Sequence, residues 1–585
     1  RPFVATGFGK IIAGLLLPSE KTDVKNMVNL IQEEWIPVIR KDGSRIPIAP
    51  WQVTDDHEKN PIQRLNASRA DFNGALIQFL IGLVQTALPP SSDREWFRRF
   101  ESPPQPAELR ERFAAYSHAF EMDGDGPRFM QDFGLPEMTK TFEISQLLIE
   151  MPGENTVEDN IDHFIKRGTV QQICQHCCAM ALYTLQTNAP GGGRGHRTSL
   201  RGGGPLTTIV MGRTLWETVW LNVLPSGALA KYGNANLQGD ADIFPWLGPT
   251  RASDKNDNSE PTTPLDAHPA QMFWGMPRRI RIDRDENAEG VCDLCGCSRT
   301  HLVRRYQTKT YGVHYKGNWR HTLTPYSKSE KDEFIPKKGQ PDGITYRNWL
   351  GLVQNDPNSQ SEPAAVVHAF RYDRQPDLPE VPFRLWAFGY DMDKGKPMKA
   401  RCWYEGTMPL IKVDPSIRAD YEAVTAQLIK TASLVADDTR DAIWSAMYEP
   451  KVTKDQTNPQ TAEKFRRNHK KKVLEKSIFL TSRARFWKDT EAEFYTVLQL
   501  LKDATEKGED TVELKLRWLR TVRKEAESQF DEYSQLALIG VADPRRIATA
   551  RRELRNFTSP TTKKIRETLD LPKPPSGKKS TKTPA

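Results

Sequence analysis

The stretch APGGGRGHRTSLRGGGP (189–205) holds seven glycines, three arginines and one histidine in seventeen residues. Glycine loses more backbone entropy on ordering than any other residue. A segment this rich in it is either a flexible linker or a backbone that must lie close to something, and the arginines point to an anion. A nucleotide fits poorly. A P-loop needs G-x-x-x-x-G-K-[ST] after a strand. Here Gly195 is followed by His196 and Arg197, and Pro190 stands five positions before it. The dinucleotide fingerprint G-x-G-x-x-G begins at Gly191 and Gly193 and fails at His196. The acidic residue about twenty positions on, Glu217, sits in TLWETVWL, a run patterned for burial. A nucleic-acid backbone is the better candidate.

Cysteines frame the loop. Six of the seven fall in two clusters, CQHCC (174–178) and CDLCGC (292–297), and Cys402 stands apart. An odd count without a secretory signal argues against a disulfide framework. Two C-x-x-C knuckles suit tetrahedral zinc, because two intervening residues let a tight turn present both thiolates to one ion. Cys174, Cys177, Cys292 and Cys295 are therefore expected to hold a structural zinc with no open position. That would tie the base of the glycine loop to a part of the chain over a hundred residues away.

At 585 residues the chain should form several domains. No run approaches the eighteen apolar residues of a membrane helix. IIAGLLL (11–17) lacks a nearby small-residue cleavage site, so the sequence predicts a cytoplasmic protein with no membrane partner. Net charge is +8 but unevenly placed. Residues 451–585 hold 31 Lys and Arg against 19 Asp and Glu, a net of +12, which leaves −4 for residues 1–450. A basic C-terminal part facing a polyanion is expected.

The patterning predicts an α+β fold: a large mixed domain over 27–410, with 1–26 as an extension outside it, then a four-helix bundle over 411–570 and a disordered tail, 571–585. Residues 34–53 read as a hairpin turning at Asp42-Gly43. Residues 72–90 and 106–121 read as helices, as does the segment opening with the first knuckle. Residues 206–224 begin as a buried strand. Residues 381–406 read as a hairpin with Phe383, Leu385 and Ala387 on one face, Arg384, Trp386 and Phe388 on the other, and Lys394 and Lys396 at its tip. Beyond Pro415 the period becomes helical, with stretches near 509–537 and 544–569 and a basic insertion, EKFRRNHKKK (463–472). Arg545, Arg552 and Arg555 share one helix face by spacings of seven and three, a basic face for a polyanion.

Taken in order, NLIQEEWIPV (29–38), CQHC followed by the glycine block, CDLCG (292–296) and the helical C-terminal part resemble CasA, the large-subunit family of the type I-E CRISPR Cascade complex. The resemblance runs over nearly the whole chain from Met27, and the glycine block is its most specific part. Residues 1–26 and the insertion around 450–480 fall outside it. It implies a non-catalytic subunit of an RNA-guided antiviral assembly, with guide RNA and the other Cascade subunits as partners. Such a subunit reads the protospacer-adjacent motif in double-stranded DNA, starts strand separation to form an R-loop, holds the displaced strand and helps recruit a helicase-nuclease. The guide reads sequence by pairing while protein reads the short flanking motif. The family's glycine loop enters the minor groove and falls on Gly191, Gly192, Gly193 and Gly195, with Arg194 where another glycine is expected. Its minor-groove lysine falls near Lys309 and its wedge on Lys394, where the family has glutamine. Its guide-end contact loop falls in 155–168, with Phe164 as the match. The competing reading is a His-Asn-His nuclease on a zinc-supported centre, outlined by Cys292 and Cys295 with His301, His314, Asn318 and His321.

Overall fold

A computed structural model of the chain describes residues 28–136, 139–151, 168–254, 260–284, 288–330, 333–340, 343–356, 359–392, 400–447, 477–539 and 543–573. The N-terminal extension, Phe164, Lys394, Lys396, the insertion EKFRRNHKKK and most of the tail lie outside the described residues.

The core is organised by the helix Ala70–Ala87, ADFNGALIQFLIGLVQTA, which is buried on every side. It has no polar face because it has no solvent face. Phe79 sits at its centre, with ring centroids of Trp35, Phe120, Tyr183, Trp274 and Phe129 at 5.3–6.0 Å, all met edge-on. Gln78 and Gln85 are two of its buried polar groups, and each is spoken for. Gln85 exchanges two hydrogen bonds with the Leu224 backbone, and the Gln78 carbonyl accepts from Arg201 in the glycine block.

Small antiparallel sheets surround this helix. Ile36–Arg40 pairs with Arg45–Ile48 and Ile62–Leu65, and the first turn is the expected Asp42-Gly43, with Gly43 at φ +86°. Val303–Lys309 lies between Lys140–Glu143 and Arg279–Arg284, with Lys309 opposite Arg279. Arg384–Met392 lies between Ala400–Pro409 and Thr207–Met211, with Phe388 opposite Thr207. In this last sheet the two-face pattern expected for the hairpin holds only at its start. Arg384 is exposed, but Phe388 and Tyr390 are buried because Trp403 and the core helix cover that face too. Two predicted helices are also shorter. Pro106–Ala114 gives way to a 3-10 turn, Ser117–Ala119. The stretch 544–569 is broken into Pro544–Phe557 and Lys563–Leu569 around Pro560, which cannot donate into a helix.

From Arg418 the described elements are helices: Arg418–Met447, Ser477–Asp489, Glu491–Glu506, Val512–Ile539 and the two just named. Phe494, Val497, Leu498 and Leu501 form the buried stripe of one, and the Trp518 indole donates to the Leu428 carbonyl at 2.8 Å, tying two others. This part is not separate from the rest. Tyr346 stacks on Phe494 at 4.3 Å and meets Trp487 and Trp518 edge-on, and its hydroxyl bonds Thr490 at 2.7 Å.

Candidate metal centre and nucleic-acid loop

The four cysteines singled out by spacing come together. Their Sγ atoms all lie within 4.8 Å of one another, with Cys174 and Cys295 at 3.9 Å. Tetrahedral thiolates on a zinc ion at about 2.3 Å would stand about 3.8 Å apart. Cys174 caps the helix Gln175–Asn188, its sulfur accepting from the Cys177 amide, which places Cys177 one turn up on the same side. The other knuckle turns through Gly296 at φ +71°, whose amide donates to the Cys292 carbonyl. The hundred-residue gap is closed by backbone. Ile173 and Val303 exchange two hydrogen bonds of 2.9 and 2.7 Å, and the Asp293 carboxylate accepts from the amides of Gln171 and Gln172. Hydrogen bonds from Cys174 and Cys177 pull the Cys292 thiol down to about 3 and hold Cys295 lower still, while Cys177 is pushed up by the thiols around it, Cys174 foremost. Four sulfurs, no carboxylate and no imidazole fit a closed, four-coordinate ion. Cys178 turns into the core, and Cys297 and Cys402 are exposed.

The glycine block leaves the end of that same helix. Its two arms are crossed by Ser199 N–H to the Ala189 carbonyl and Gly204 N–H to the Asn188 carbonyl, both 3.2 Å. Gly195 is the fixed point. Its φ is +81°, its carbonyl accepts from the Tyr311 amide at 2.8 Å, and a Cβ there would sit 2.9 Å from the Thr310 Cβ and 3.0 Å from the Tyr311 ring. Only glycine meets both demands. Gly193 is the free point: it is exposed, and a Cβ there would meet nothing within 4 Å. Arg194 beside it is exposed.

Basic groups support the loop from below. Arg278, largely buried, bonds the Pro190 carbonyl and the His196 Nδ1, closing the first arm across its base. Burial and the Arg278 charge lower the His196 pKa, which keeps its Nδ1 an acceptor. Arg197 bonds Ser253 at 2.7 Å and lies over the Tyr311 ring. Arg201 is buried among neutral partners, Thr207, Thr324 and Gln78 at 2.7–3.0 Å. Burial pushes both Arg278 and Arg201 down to about 10.

Of the other expected residues, Lys309 ends its strand exposed, two positions before Tyr311, and so lies next to the Gly195 lock. The hairpin that carries Lys394 leaves the described residues on the same side. Its strand pairs with Thr207–Met211, which follows the loop directly, and a Cβ on Gly204 would sit 2.5 Å from Met392. Arg545 and Arg552 are exposed on Pro544–Phe557, but Arg555 is held by Glu527 at 2.8 Å. His321 is core: it packs edge-on against Phe273, and its Nδ1 accepts from the Leu323 amide. None of His301, His314 or His321 belongs to the cysteine group. Tyr311, Arg278 and Ser253 escaped the sequence reading, since isolated residues far along the chain carry no spacing signal.

The model of the family described as CRISPR-associated protein Cse1 matches residues 29–529. The chain belongs to that family. This is the large-subunit family that the glycine block and the paired knuckles resembled. Solved Cse1 folds agree with the architecture. CasA of Thermus thermophilus is 17% identical with a TM-score of 0.63, over 91% of this chain and 99% of that one. Cse1 of Acidimicrobium ferrooxidans is 15% identical with a TM-score of 0.62, over 93% and 98%. A chain described as CRISPR RNA-guided surveillance complex is 15% identical with a TM-score of 0.63, over 91% and 100%. At such identities the likeness speaks for the Cse1 fold alone.

Proposed function

We propose that this Cse1-family chain is a non-catalytic subunit of an RNA-guided surveillance complex. It assembles with guide RNA and the other Cascade subunits, reads a short flanking motif in duplex DNA through the glycine loop, and starts strand separation. The hairpin ending at Met392 and resuming at Ala400, with Lys394 at its tip, is the wedge. Lys309 is the minor-groove cation. The segment around Phe164 meets the guide end. The helices from Arg418 act as a four-helix bundle along which the displaced strand is held, with Arg545 and Arg552 as phosphate contacts. The assembled complex recruits a helicase-nuclease. The cysteine group holds zinc as a structural ion.

One observation carries this reading. The loop is locked at Gly195 beside the strand of Lys309, while Gly193 and Arg194 stand open on a loop whose arms are held by half-buried Arg278 and Arg197 and buried Arg201. A backbone without side chains, fixed and positively supported, suits the narrow minor groove, whose hydrogen-bond code is degenerate. Gly193→Val is the test, because a Cβ at Gly193 meets no protein atom within 4 Å. Binding of the assembled complex to duplexes with a matched target and each flanking sequence should weaken and lose its motif preference, with assembly on guide RNA intact. Unchanged motif preference would make the segment a linker.

A further inference from the structure

The second arm of the loop, Arg201 to Pro205, is held by Lys338. Its ammonium donates to the Arg201 carbonyl at 2.6 Å, and its backbone forms a bridge with Pro205. The next hydrogen bond, Leu206 N–H to the Lys337 carbonyl at 2.8 Å, leads into the strand Thr207–Met211. Gly202 makes the approach possible, since a Cβ there would stand 2.7 Å from the Lys338 Nζ. On its other side, Gly339 lies against the Tyr390 carbonyl and the Asp391 amide of the hairpin strand. One lysine therefore stands between the glycine loop and the hairpin.

We propose that Lys338 is a positioning residue for nucleic-acid binding: acting through the Arg201 carbonyl it sets the second arm of the glycine loop against the hairpin base, and its charge adds to that of Arg201 beneath the bound phosphate backbone. This rests on the reading of the loop as the DNA contact. Two neighbouring cations withdrawn from water, half-buried Lys338 and buried Arg201, are costly in a folded protein unless something stabilises them. Here a polyanion outside does so, and binding is strongest while Lys338 is charged.

The charge is labile near neutrality. Burial, with the neighbouring Arg201 charge, pushes Lys338 down to about 7. The titratable groups on the packed elements are Arg201, Lys337, Tyr390 and Asp391, with Tyr326, Tyr183 and His321 around Arg201. His321 stays neutral because burial holds it well below its ordinary value, and burial raises Tyr326 to about 12 and Tyr390 higher. Affinity should fall as pH rises from 6 to 8.5, the protonated fraction of Lys338 falling with it.

The test uses the complex assembled on a defined guide, with fluorescent duplexes bearing the matched target. Lys338→Met should lower duplex affinity roughly tenfold at pH 6, the scale of one charged contact, and flatten the pH profile. Lys338→Arg should restore affinity and stay flat, since arginine does not titrate there. Metal content and melting temperature, read alongside, report whether each variant is folded. Gly193→Val is run in parallel. If it weakens binding while Lys338→Met keeps wild-type affinity and pH dependence, the positioning role is overturned and the loop reading stands. If Gly193→Val has no effect, the loop reading itself fails.

Discussion

At the scale of single residues, the cysteine group and the Gly195 lock make separable predictions. Cys174→Ser or Cys292→Ser should abolish binding of about one zinc per chain and lower stability, whereas Cys297→Ser and Cys402→Ser should retain the metal. Elemental analysis with thermal melts decides it. Stably folded wild-type protein without metal would refute a structural ion. Gly195→Ala should cost about 1–2 kcal/mol from its positive φ alone, before the contact with Thr310 is counted. That loss is readable by urea unfolding, and Gly193→Ala should show none of it. Lys338 supplies a pH test of stability with a definite sign. Its unfolded pKa is near the ordinary 10.5 and its folded value near 7, so between these the unfolded chain binds more protons. Stability from this group therefore rises with pH across that window. Wild type should gain on Lys338→Met from pH 7 to 10, measured as the difference between their unfolding free energies.

At the scale of elements, the sequence was legible wherever a local rule operates. Asp42-Gly43 set a hairpin, each C-x-x-C spacing set a knuckle, and the helix read over 72–90 is found at Ala70–Ala87. Where packing came from elsewhere, the pattern misled. Phe388 shares a face with Arg384 by alternation, yet Arg384 is exposed while Trp403 packs on Phe388, which is buried. The helix face Arg545, Arg552, Arg555 was correct in phase, but pairing across to Glu527 and of Arg551 to Asp531 depends on a neighbouring helix that no spacing reveals. The consequence is testable. Arg545→Glu and Arg552→Glu should lower retention of the opened duplex alike for all sequences, and each neutralised contact should reduce the salt slope by about 0.7. Arg555→Glu should instead act through helix docking, placing like charges opposite Glu527. It should lower the melting temperature, and Glu527→Arg beside it should restore it. Equal melting temperatures for all three variants would return Arg555 to the phosphate contacts.

At the scale of the whole molecule, the change to a helical period beyond Pro415 was legible, and the described elements from Arg418 are helices, but the joint between them and the preceding chain was not legible. Tyr346 and Trp349 close one aromatic cluster with Phe494 and Trp518 of these helices, and Arg371 bonds Glu422 of the first of them at 3.0 Å. Such a joint makes the placement of the helices relative to the glycine loop a matter of core packing rather than of a linker. Tyr346→Ala removes a fully buried ring and its hydroxyl bond to Thr490, a loss of about 3–5 kcal/mol. If the helices hold the displaced strand only when docked, this variant, studied below its melting temperature, should still choose the same flanking motif through a loop far along the chain. It should leave the displaced strand more open to a single-strand nuclease and lower degradation by the partner helicase-nuclease in proportion. Tyr346→Phe keeps the ring, loses one hydrogen bond, and should protect the strand nearly as well as wild type. A role in recruitment alone predicts a different split, with strand protection intact and only degradation lost, so protection and degradation measured on one set of complexes tell the two apart.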